Sequence, residues 1–264
     1  VPMRDGTVLR ADIWRPDAAG QFPVLIERTP YDKTTSSESS LGAGEYYASH
    51  GYVTVIQDVR GRFASDGLFY PFRDDGDGEN QDGYDTVEWA AAQPWSNKKI
   101  GTIGGSYSGA TQYRMLATQP PHLVAQFVRQ SSSDYYIEWV YRSGVFEHGF
   151  NISWTLKHAS TNAVKLAPDG MEDEVVTRLT KASDDYQKWL EHVPISPLLP
   201  VADLQDWFVD WMDHPNQGEY WNEFSIVRSH DRVDVPVHHF GSWYDCFLRG
   251  TIGNYVGMRS KAVN

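Results

Sequence analysis

The chain of 264 residues is acidic, with 35 Asp and Glu residues against 23 Lys and Arg residues and a formal net charge of −12. This balance argues against nucleic acid as a partner, because no stripe of basic side chains is available to neutralise phosphates. The hydrophobic content of 41% is typical of a globular protein, and no apolar run is long enough to span a bilayer. The single cysteine, Cys246, excludes an internal disulfide and a metal site made of several cysteines.

Strands and helices alternate along the first half of the chain. Apolar, β-branched or alternating segments predict strands at residues 7–14, 23–28, 52–58, 123–128 and 235–241, and a further strand begins at Ile100. Helices are predicted up to His50, around the apolar positions Val87, Ala90 and Ala91, and over residues 110–118. This alternation indicates an α/β fold with a mostly parallel sheet and crossover helices.

The sequence changes character at residues 131–232, which are rich in Trp, Tyr and acidic residues and contain no buried-strand run. We interpret this segment as a helical insertion between two strands of one sheet, since loops at the carboxyl edge of such sheets carry elaborations. The expected organisation is therefore the first part of an α/β core at residues 1–130, a helical cap at 131–232 and the continuing core at 233–264.

A candidate nucleophile lies where the strand from Ile100 meets the following helix. Residues 100–109 read Ile-Gly-Thr-Ile-Gly-Gly-Ser-Tyr-Ser-Gly, and this crowding of glycines around Ser106 is what a serine on a sharp strand-to-helix turn requires. The spacing departs from the usual pattern, because Ser108 stands where a glycine is expected and Gly109 comes one place later. The alternative is a glycine-rich turn with an incidental serine.

A serine nucleophile needs an acid, a base and donors that stabilise an oxyanion. Asp245 follows the last predicted strand and is the candidate acid, although a turn aspartate is an equal alternative on position alone. The backbone N–H of Tyr107 is the first candidate oxyanion donor. Tyr31, in the loop after the strand at 23–28, is the second, with an ordinary loop tyrosine as the alternative.

No histidine follows Asp245, and this fold is expected to place its catalytic histidine after the acid. The histidines are at positions 50, 122, 148, 158, 192, 214, 230, 238 and 239. His238 or His239 could approach from the strand before Asp245, and His148 or His158 from the insertion. We expect instead that the base lies past Asn264, in a longer polypeptide. The absence of a signal peptide in this segment slightly favours a cytoplasmic location.

No cofactor is predicted. The glycines at 101–109 lack the G-x-G-x-x-G spacing of dinucleotide-binding proteins, and no P-loop is present. Residues 74–82 resemble a calcium-binding loop, but glycine does not stand at the sixth position, so a solvated acidic loop is the preferred interpretation and no metal site is expected.

With these motifs, the chain resembles the CocE/NonD family of serine hydrolases, which groups cocaine esterases with X-prolyl dipeptidyl-peptidases. The resemblance covers nearly the whole sequence. It rests on residues 5–16, 28–33, 57–67, 83–89, 93–97, 104–109, 213–215, 220–221 and 243–247. It implies an α/β-hydrolase fold, Ser106 as nucleophile, Asp245 as triad acid, and an oxyanion hole formed by Tyr31 and the Tyr107 amide.

The resemblance also implies that the helical insertion is the family's cap, with Phe247 and Trp139 lining the acyl pocket. The chain departs from the family pattern at its end, because the family's histidine and carboxyl-terminal β-sandwich would both lie past residue 264. The expected partner is a small-molecule ester or a short peptide, with neither nucleic acid nor membrane. Whether the protein is a homo-oligomer is left open.

The function predicted first is hydrolysis of carboxylic esters through a seryl intermediate. The alternative within the class is an X-Pro dipeptidyl-peptidase or α-amino acid ester hydrolase, which needs a carboxylate to hold the substrate's free amine. Asp134, Glu138 and Glu147 are candidates for that carboxylate, or else surface charges. The alternative from another class is a non-catalytic binding domain that keeps the hydrolase fold, if the chain ends at Asn264.

Overall fold

The computed structural model describes residues 1–36, 42–198 and 200–261. The chain forms two compact units. The first consists of Val1–Asp134 with Trp221–Asn264, and the second of Tyr135–Tyr220. The second unit lies within the segment expected to be a helical insertion, and its role as a cap stays a prediction.

The first unit is built on a mixed sheet, six-stranded over the described residues. Its strands are β1 (Ala11–Trp14), β2 (Phe22–Thr29), β3 (Val53–Asp58), β4 (Ser96–Gly105), β5 (Leu123–Arg129) and β8 (Val237–Phe240). They are ordered β1-β3-β2-β4-β5-β8 across the sheet. Only β1 runs antiparallel to its neighbour, and the other pairs are parallel. The prediction of an α/β fold with a mostly parallel sheet is therefore confirmed.

Helices pack on this sheet. They are α1 (Ala43–Ser49), α2 (Asp82–Ala91), α3 (Tyr107–Leu116) and α10 (Leu248–Lys261), with short 3-10 turns at Arg73–Asp75 and Ile226–Arg232. All six residues of β3 are buried, as the run of β-branched residues predicts for a strand covered on both faces. The predicted core face of α2 is also confirmed, since Val87, Ala90 and Ala91 pack in the same hydrophobic cluster as Val24 and Val53.

The first strand is shorter than predicted, beginning at Ala11 rather than at Thr7. The Asp5 carboxylate accepts hydrogen bonds from both the backbone N–H and the hydroxyl of Thr7, so this stretch forms a local turn. Val8 makes only an isolated bridge to Pro2. Local side-chain hydrogen bonding thus replaces strand pairing at the start of the segment.

The second unit is mainly helical. Its elements are a five-residue π-helix (Tyr136–Val140), the hairpin β6 (Tyr141–Arg142) and β7 (Val145–Phe146), and the helices α4 (His148–Ser160), α5 (Ala163–Leu166), α6 (Glu172–Asp184), α7 (Tyr186–Leu190) and α8 (Asp206–Asp213), with α9 (Glu219–Asn222) at the boundary. Its core is aromatic, because Trp139, Trp207, Phe208 and Trp211 are each 1–2% exposed. The abundance of Trp in this segment therefore serves packing.

Ion pairs of two arginines fix the long loop between β3 and α2. Arg28 Nη1 lies 2.6 Å from Asp75 Oδ1, and Arg60 Nη2 lies 2.6 Å from Asp82 Oδ1. Arg60 also reaches Asp5, with Nη1 2.6 Å from Oδ2. Two carboxylates of the stretch that resembles a calcium loop, those of Asp75 and Asp82, are therefore paired with arginines. Within residues 1–36, 42–198 and 200–261, no cluster of three or more His, Cys, Asp and Glu side chains could hold a metal ion.

No helix among the described residues is both long enough and apolar enough to cross a membrane.

Candidate active site

Ser106 joins β4 to α3 in an unusual backbone conformation, with φ 55° and ψ −121°. A residue that carries a Cβ rarely adopts a positive φ, and such strain is concentrated at functional sites. The Ser106 N–H donates to the carbonyls of Arg129 and Gln130, at 3.0 and 3.2 Å. Because β5 holds the backbone in this way, the turn is sharp and the serine stands at the carboxyl edge of the sheet.

The glycines around Ser106 are required by close approach. Gly104 has φ +131°, and a Cβ there would lie 2.6 Å from Ser108 Cβ. A Cβ on Gly109 would lie 2.7 Å from Ser131 Cβ and 3.0 Å from Val128 Cγ1. The helix therefore packs against β5 through Gly109, which explains why glycine stands at 109 in this chain.

Ser108 occupies the position at which the usual pattern has glycine, and its side chain is accommodated by a polar partner. Its hydroxyl donates to Glu27 Oε1 at 2.9 Å. Glu27 is fully buried on β2, and its Oε2 accepts a second hydrogen bond from Ser36 Oγ at 2.8 Å. Burial raises the pKa of Glu27, while the two serine hydroxyls and the charge of Arg129 oppose that rise.

The two residues that carry the predicted oxyanion donors are in contact. The rings of Tyr31 and Tyr107 meet edge to face, with centroids 6.5 Å apart. Tyr107 is the first residue of α3, where a backbone N–H has no acceptor within its own helix and can serve a ligand. Its phenol oxygen is used elsewhere, because it accepts the N–H of Phe72 at 2.8 Å. The amide, rather than the side chain, is thus the group of Tyr107 suited to the site.

The turn that carries Tyr31 is held at several points. Arg62 Nε donates to the carbonyl of Pro30 at 2.9 Å, and the Lys33 N–H donates to Asp58 Oδ1 at 2.7 Å. Within the turn, the Thr35 hydroxyl donates to the carbonyl of Tyr31 at 3.2 Å. Tyr31 therefore projects from a braced segment, which a donor aimed at a developing charge requires.

Arg62 and Glu27 are buried charged residues beside the candidate site that the sequence did not predict. Arg62 is 1% exposed, and burial lowers its pKa to about 10, while the nearby phenols of Tyr107 and Tyr31 favour the charged form. It therefore remains a cation near neutral pH. The sequence signal for Glu27 is an acidic residue that directly follows the apolar run at residues 24–26 on β2. For Arg62 no comparable signal existed, because its loop is rich in charged residues.

Asp245 lies at the same edge of the sheet as Ser106. The last residues of β4, β5 and β8 are level, since Gly105 pairs with Arg129 and Arg129 with Phe240. Two strand spacings, about 10 Å, separate β4 from β8. Asp245 Oδ2 is buried and has no hydrogen-bond partner among the described residues. A carboxylate oxygen withdrawn from water in this way calls for a donor.

None of the predicted histidine alternatives donates to Asp245 Oδ2. His239 Nδ1 lies 2.7 Å from Tyr113 Oη, and burial lowers the His239 pKa to about 4. His238 packs on Phe127, with ring centroids 5.0 Å apart. His158, in the second unit, lies against Trp154 at a centroid distance of 4.0 Å. His148 begins α4 of the same unit.

The predicted pocket residues are both buried. Phe247 is 5% exposed in the first unit. Trp139 is 1% exposed in the aromatic core of the second unit, where it meets Phe150 edge to face with centroids 5.4 Å apart. Their contact with an acyl group stays a prediction.

The predicted amine anchors differ in environment. Asp134, in the first unit, and Glu138, in the second, are 8% and 6% exposed. The carboxylate of Glu147 is paired with Arg142, with Oε1 2.8 Å from Nε. Asp134 and Glu138 are thus buried carboxylates, and Glu147 is a partly exposed one paired with an arginine.

Comparison with known proteins places this geometry in context. The sequence matches the X-Pro dipeptidyl-peptidase family (S15 family) over residues 5–262. It is 30% identical over 269 residues to the cocaine esterase of Rhodococcus sp. (strain MB1 Bresler), covering 99% of this chain and 46% of that protein. The chain thus spans about half the length of this relative.

Solved structures agree on the fold. A CocE/NonD family hydrolase from Staphylococcus aureus superposes with a TM-score of 0.73 at 25% identity, covering 99% of this chain and 43% of that one. An α-amino acid ester hydrolase superposes with a TM-score of 0.71 at 23% identity, covering 98% and 44%. The first unit therefore has the α/β-hydrolase fold, as predicted. With a strained serine between β4 and α3 and a family match along almost its whole length, the chain belongs to the X-Pro dipeptidyl-peptidase (S15) family of hydrolases.

Proposed function

We propose that this chain carries the nucleophile, acid and oxyanion hole of a serine hydrolase that cleaves carboxylic esters. Ser106 attacks the ester carbonyl, and the Tyr31 hydroxyl and the Tyr107 N–H stabilise the oxyanion of the tetrahedral intermediate. Collapse of that intermediate expels the alcohol, and water then releases the acid from the seryl ester.

The observation that carries the proposal is the backbone of Ser106, strained at φ 55° and crowded by Gly104 and Gly109. An incidental serine in a glycine-rich turn would relax to an ordinary conformation. The cocaine esterase relationship supports an ester as substrate, since that protein is similar along 99% of this chain.

The base is proposed to be a histidine of the longer polypeptide, outside residues 1–264. Support comes from Asp245, whose buried Oδ2 lacks a donor, and from the described histidines, none of which supplies one. In this arrangement Asp245 would accept the imidazole N–H and hold the ring toward Ser106.

The test is labelling of the protein purified from its source with a fluorophosphonate, read by intact mass and peptide mapping. We expect the label on Ser106 in a polypeptide heavier than 30.0 kDa. Ser106→Ala should abolish labelling and lower ester turnover by at least about 10³-fold. As a matched control, Ser49→Ala, at the exposed end of α1, should leave both unchanged.

Other outcomes are equally informative. A label on Ser106 at 30.0 kDa would make one of the internal histidines the base. A label on another serine of a longer form would overturn the triad assignment. Absence of labelling in every form would favour the non-catalytic binding domain.

The second candidate is an X-Pro dipeptidyl-peptidase or α-amino acid ester hydrolase, favoured by the family match and by the burial of Asp134 in the first unit. A carboxylate withdrawn from water can pair with a substrate ammonium strongly. An α-amino acyl ester should then lose most of its turnover on N-acetylation, whereas a plain esterase should hydrolyse both forms at similar rates.

A further inference from the structure

Glu27 is a fully buried acid that the proposed reaction does not use directly. Its carboxylate lies between two segments that come together only in the fold. Ser36 Oγ donates to Oε2 at 2.8 Å, and Ser108 Oγ donates to Oε1 at 2.9 Å. Ser36 belongs to the turn that carries Tyr31, and Ser108 lies on the first turn of α3, next to Tyr107.

Burial of this group is costly and would not persist without compensation. A carboxyl group removed from water costs free energy unless hydrogen bonds satisfy it. An apolar residue on β2 would pack at this depth without that cost. Each oxygen of Glu27 has one serine donor, and the donors are 9 and 81 residues away in the sequence. The acid is therefore satisfied only when both segments are in place.

We propose that Glu27 is a positioning residue that couples the two halves of the oxyanion hole, the Tyr31 hydroxyl and the Tyr107 amide. This inference rests on the proposed function. By holding Ser36 and Ser108 on one carboxyl group, Glu27 sets the separation between the Tyr31 turn and the start of α3. Two donors must meet one oxygen atom at hydrogen-bond distance, so their relative position decides how well the oxyanion is stabilised.

Other hydrogen bonds anchor each of the two segments separately. In the Tyr31 turn, the Pro30 carbonyl accepts a hydrogen bond from Arg62. The Lys33 N–H donates to Asp58, the last residue of β3. Gln112 holds α3 to β4, with Nε2 donating to the Gly104 carbonyl at 3.1 Å. Each of these bonds involves only one of the two segments. Glu27 bonds to both, beside the edge-to-face contact of the Tyr31 and Tyr107 rings.

The first experiment compares Glu27→Leu with Glu27→Gln in the full polypeptide that contains residues 1–264. Leucine removes both hydrogen bonds, and we expect kcat for an ester to fall by about 10- to 100-fold with KM changed less than about 2-fold, because misplacement acts on the transition state. Glutamine can accept from one serine and donate to the other, so it should restore kcat to within about 3-fold of wild type. Equal rates for the leucine variant and wild type, or equal loss in both variants, would overturn the proposal.

Thr102→Val is the matched control. It removes a buried hydrogen bond of similar length, 2.8 Å from Thr102 Oγ1 to Gln112 Oε1, between the sheet and the same helix. This bond does not reach the Tyr31 turn. We expect Thr102→Val to lower the melting temperature without the loss in kcat. If Thr102→Val lowered kcat as much as Glu27→Leu does, the role of Glu27 would be a general structural one.

A second measurement is independent of activity. Hydrogen exchange followed by mass spectrometry should speed up in Glu27→Leu at residues 30–36 and at 106–110 together, and in Thr102→Val only at the latter. If wild type does not react with a fluorophosphonate, the proposed function fails and the catalytic role fails with it, while exchange still reports on the coupling. Unchanged exchange at either segment would overturn the coupling whatever the activity.

If Glu27→Leu does not fold, a double-mutant cycle answers the same question. Ser36→Ala and Ser108→Ala each remove one of the two hydrogen bonds to the Glu27 carboxyl group. Because both hydrogen bonds end on one carboxyl group, the effects of the two substitutions on kcat should be non-additive in the double variant. Additive effects would mean that the two segments are placed independently, which contradicts the proposal.

Discussion

The two sides of the candidate site in the first unit are built in contrasting ways. At the ends of β2 and β4, buried side chains hold the backbone of the segments that carry the proposed site. Ser131 Oγ donates to the Ser106 carbonyl at 2.8 Å, and Arg62 Nε holds the Pro30 carbonyl. At the end of β8, Asp245 Oδ2 is buried without a donor. The residues before Asp245, Trp243 and Tyr244, are 84% and 101% exposed.

This contrast separates two tasks of the proposed reaction. Stabilisation of an oxyanion depends on donors that are in position before the substrate arrives, and residues 1–134 supply the scaffolding for them. Proton transfer depends on an acid–base pair, in which Asp245 is the proposed acid. We therefore expect variants at the two sides to impair different parts of the reaction, either oxyanion stabilisation or proton transfer.

The largest effect is expected at the β8 side. Asp245→Asn should lower kcat by about 10⁴-fold, because an amide cannot stabilise an imidazolium and favours the wrong tautomer of its partner. The measurement is steady-state ester hydrolysis by the full polypeptide. Asp234→Asn, exposed just before β8, is the control and should retain wild-type rates. A loss below about 10-fold in Asp245→Asn would remove Asp245 from the triad.

At the opposite side, Tyr31→Phe should lower kcat by about 10²- to 10³-fold while KM stays nearly constant, since the hydroxyl acts on the oxyanion. The melting temperature should not change, because the turn is held by backbone contacts of Pro30 and Lys33. Tyr46→Phe, on a ring that is 58% exposed, serves as the control. A large rise in KM with normal kcat would instead assign Tyr31 to substrate binding.

The close packing of α3 can be tested by stability. Gly109→Ala should destabilise the fold by about 1–3 kcal/mol, because the new methyl group would meet Ser131 and Val128. Gly253→Ala, on α10 with open space around its Cα, should instead stabilise by about 0.5–1 kcal/mol through helix propensity. Denaturant unfolding of both variants measures the difference. Stabilisation by Gly109→Ala would show that the helix can move away from β5.

The smallest effect concerns His239. Burial lowers the pKa of this histidine to about 4. Between the unfolded value of 6.5 and about 4, the unfolded chain binds a proton that the folded chain does not, so stability falls as pH falls through this window. His239→Gln should flatten that dependence in thermal unfolding scans at several pH values. Ester turnover should remain within about 3-fold of wild type, since His239 is not the proposed base. A loss comparable to that of Asp245→Asn would make His239 the base.

Much of this architecture follows from local sequence patterns. The run of β-branched residues at 53–58 predicts a doubly covered strand, and the glycines before Ser106 predict the strained turn, because both depend on neighbouring residues. The contact of Glu27 with Ser108 could not be predicted in the same way. It joins residues 81 positions apart, and its sequence signal is a single acid that follows an apolar run.

The unusual place of glycine after the nucleophile illustrates the same limit. From sequence alone, Ser108 is a departure from a pattern. In the fold, its hydroxyl has a buried acceptor, and Gly109 takes the position that must approach β5. Such compensation depends on tertiary contacts, which periodicity and spacing do not record.

The backbone of Ser106 has a consequence for the stability of the protein. A non-glycine residue at φ 55° costs on the order of 1–3 kcal/mol, a large part of the margin by which a domain stays folded. Selection for stability alone would replace this serine with glycine, which adopts the same angle freely. Compared with glycine at this position, Ser106 therefore lowers the free energy of unfolding, and what the chain gains at that cost is a hydroxyl group at the end of β4.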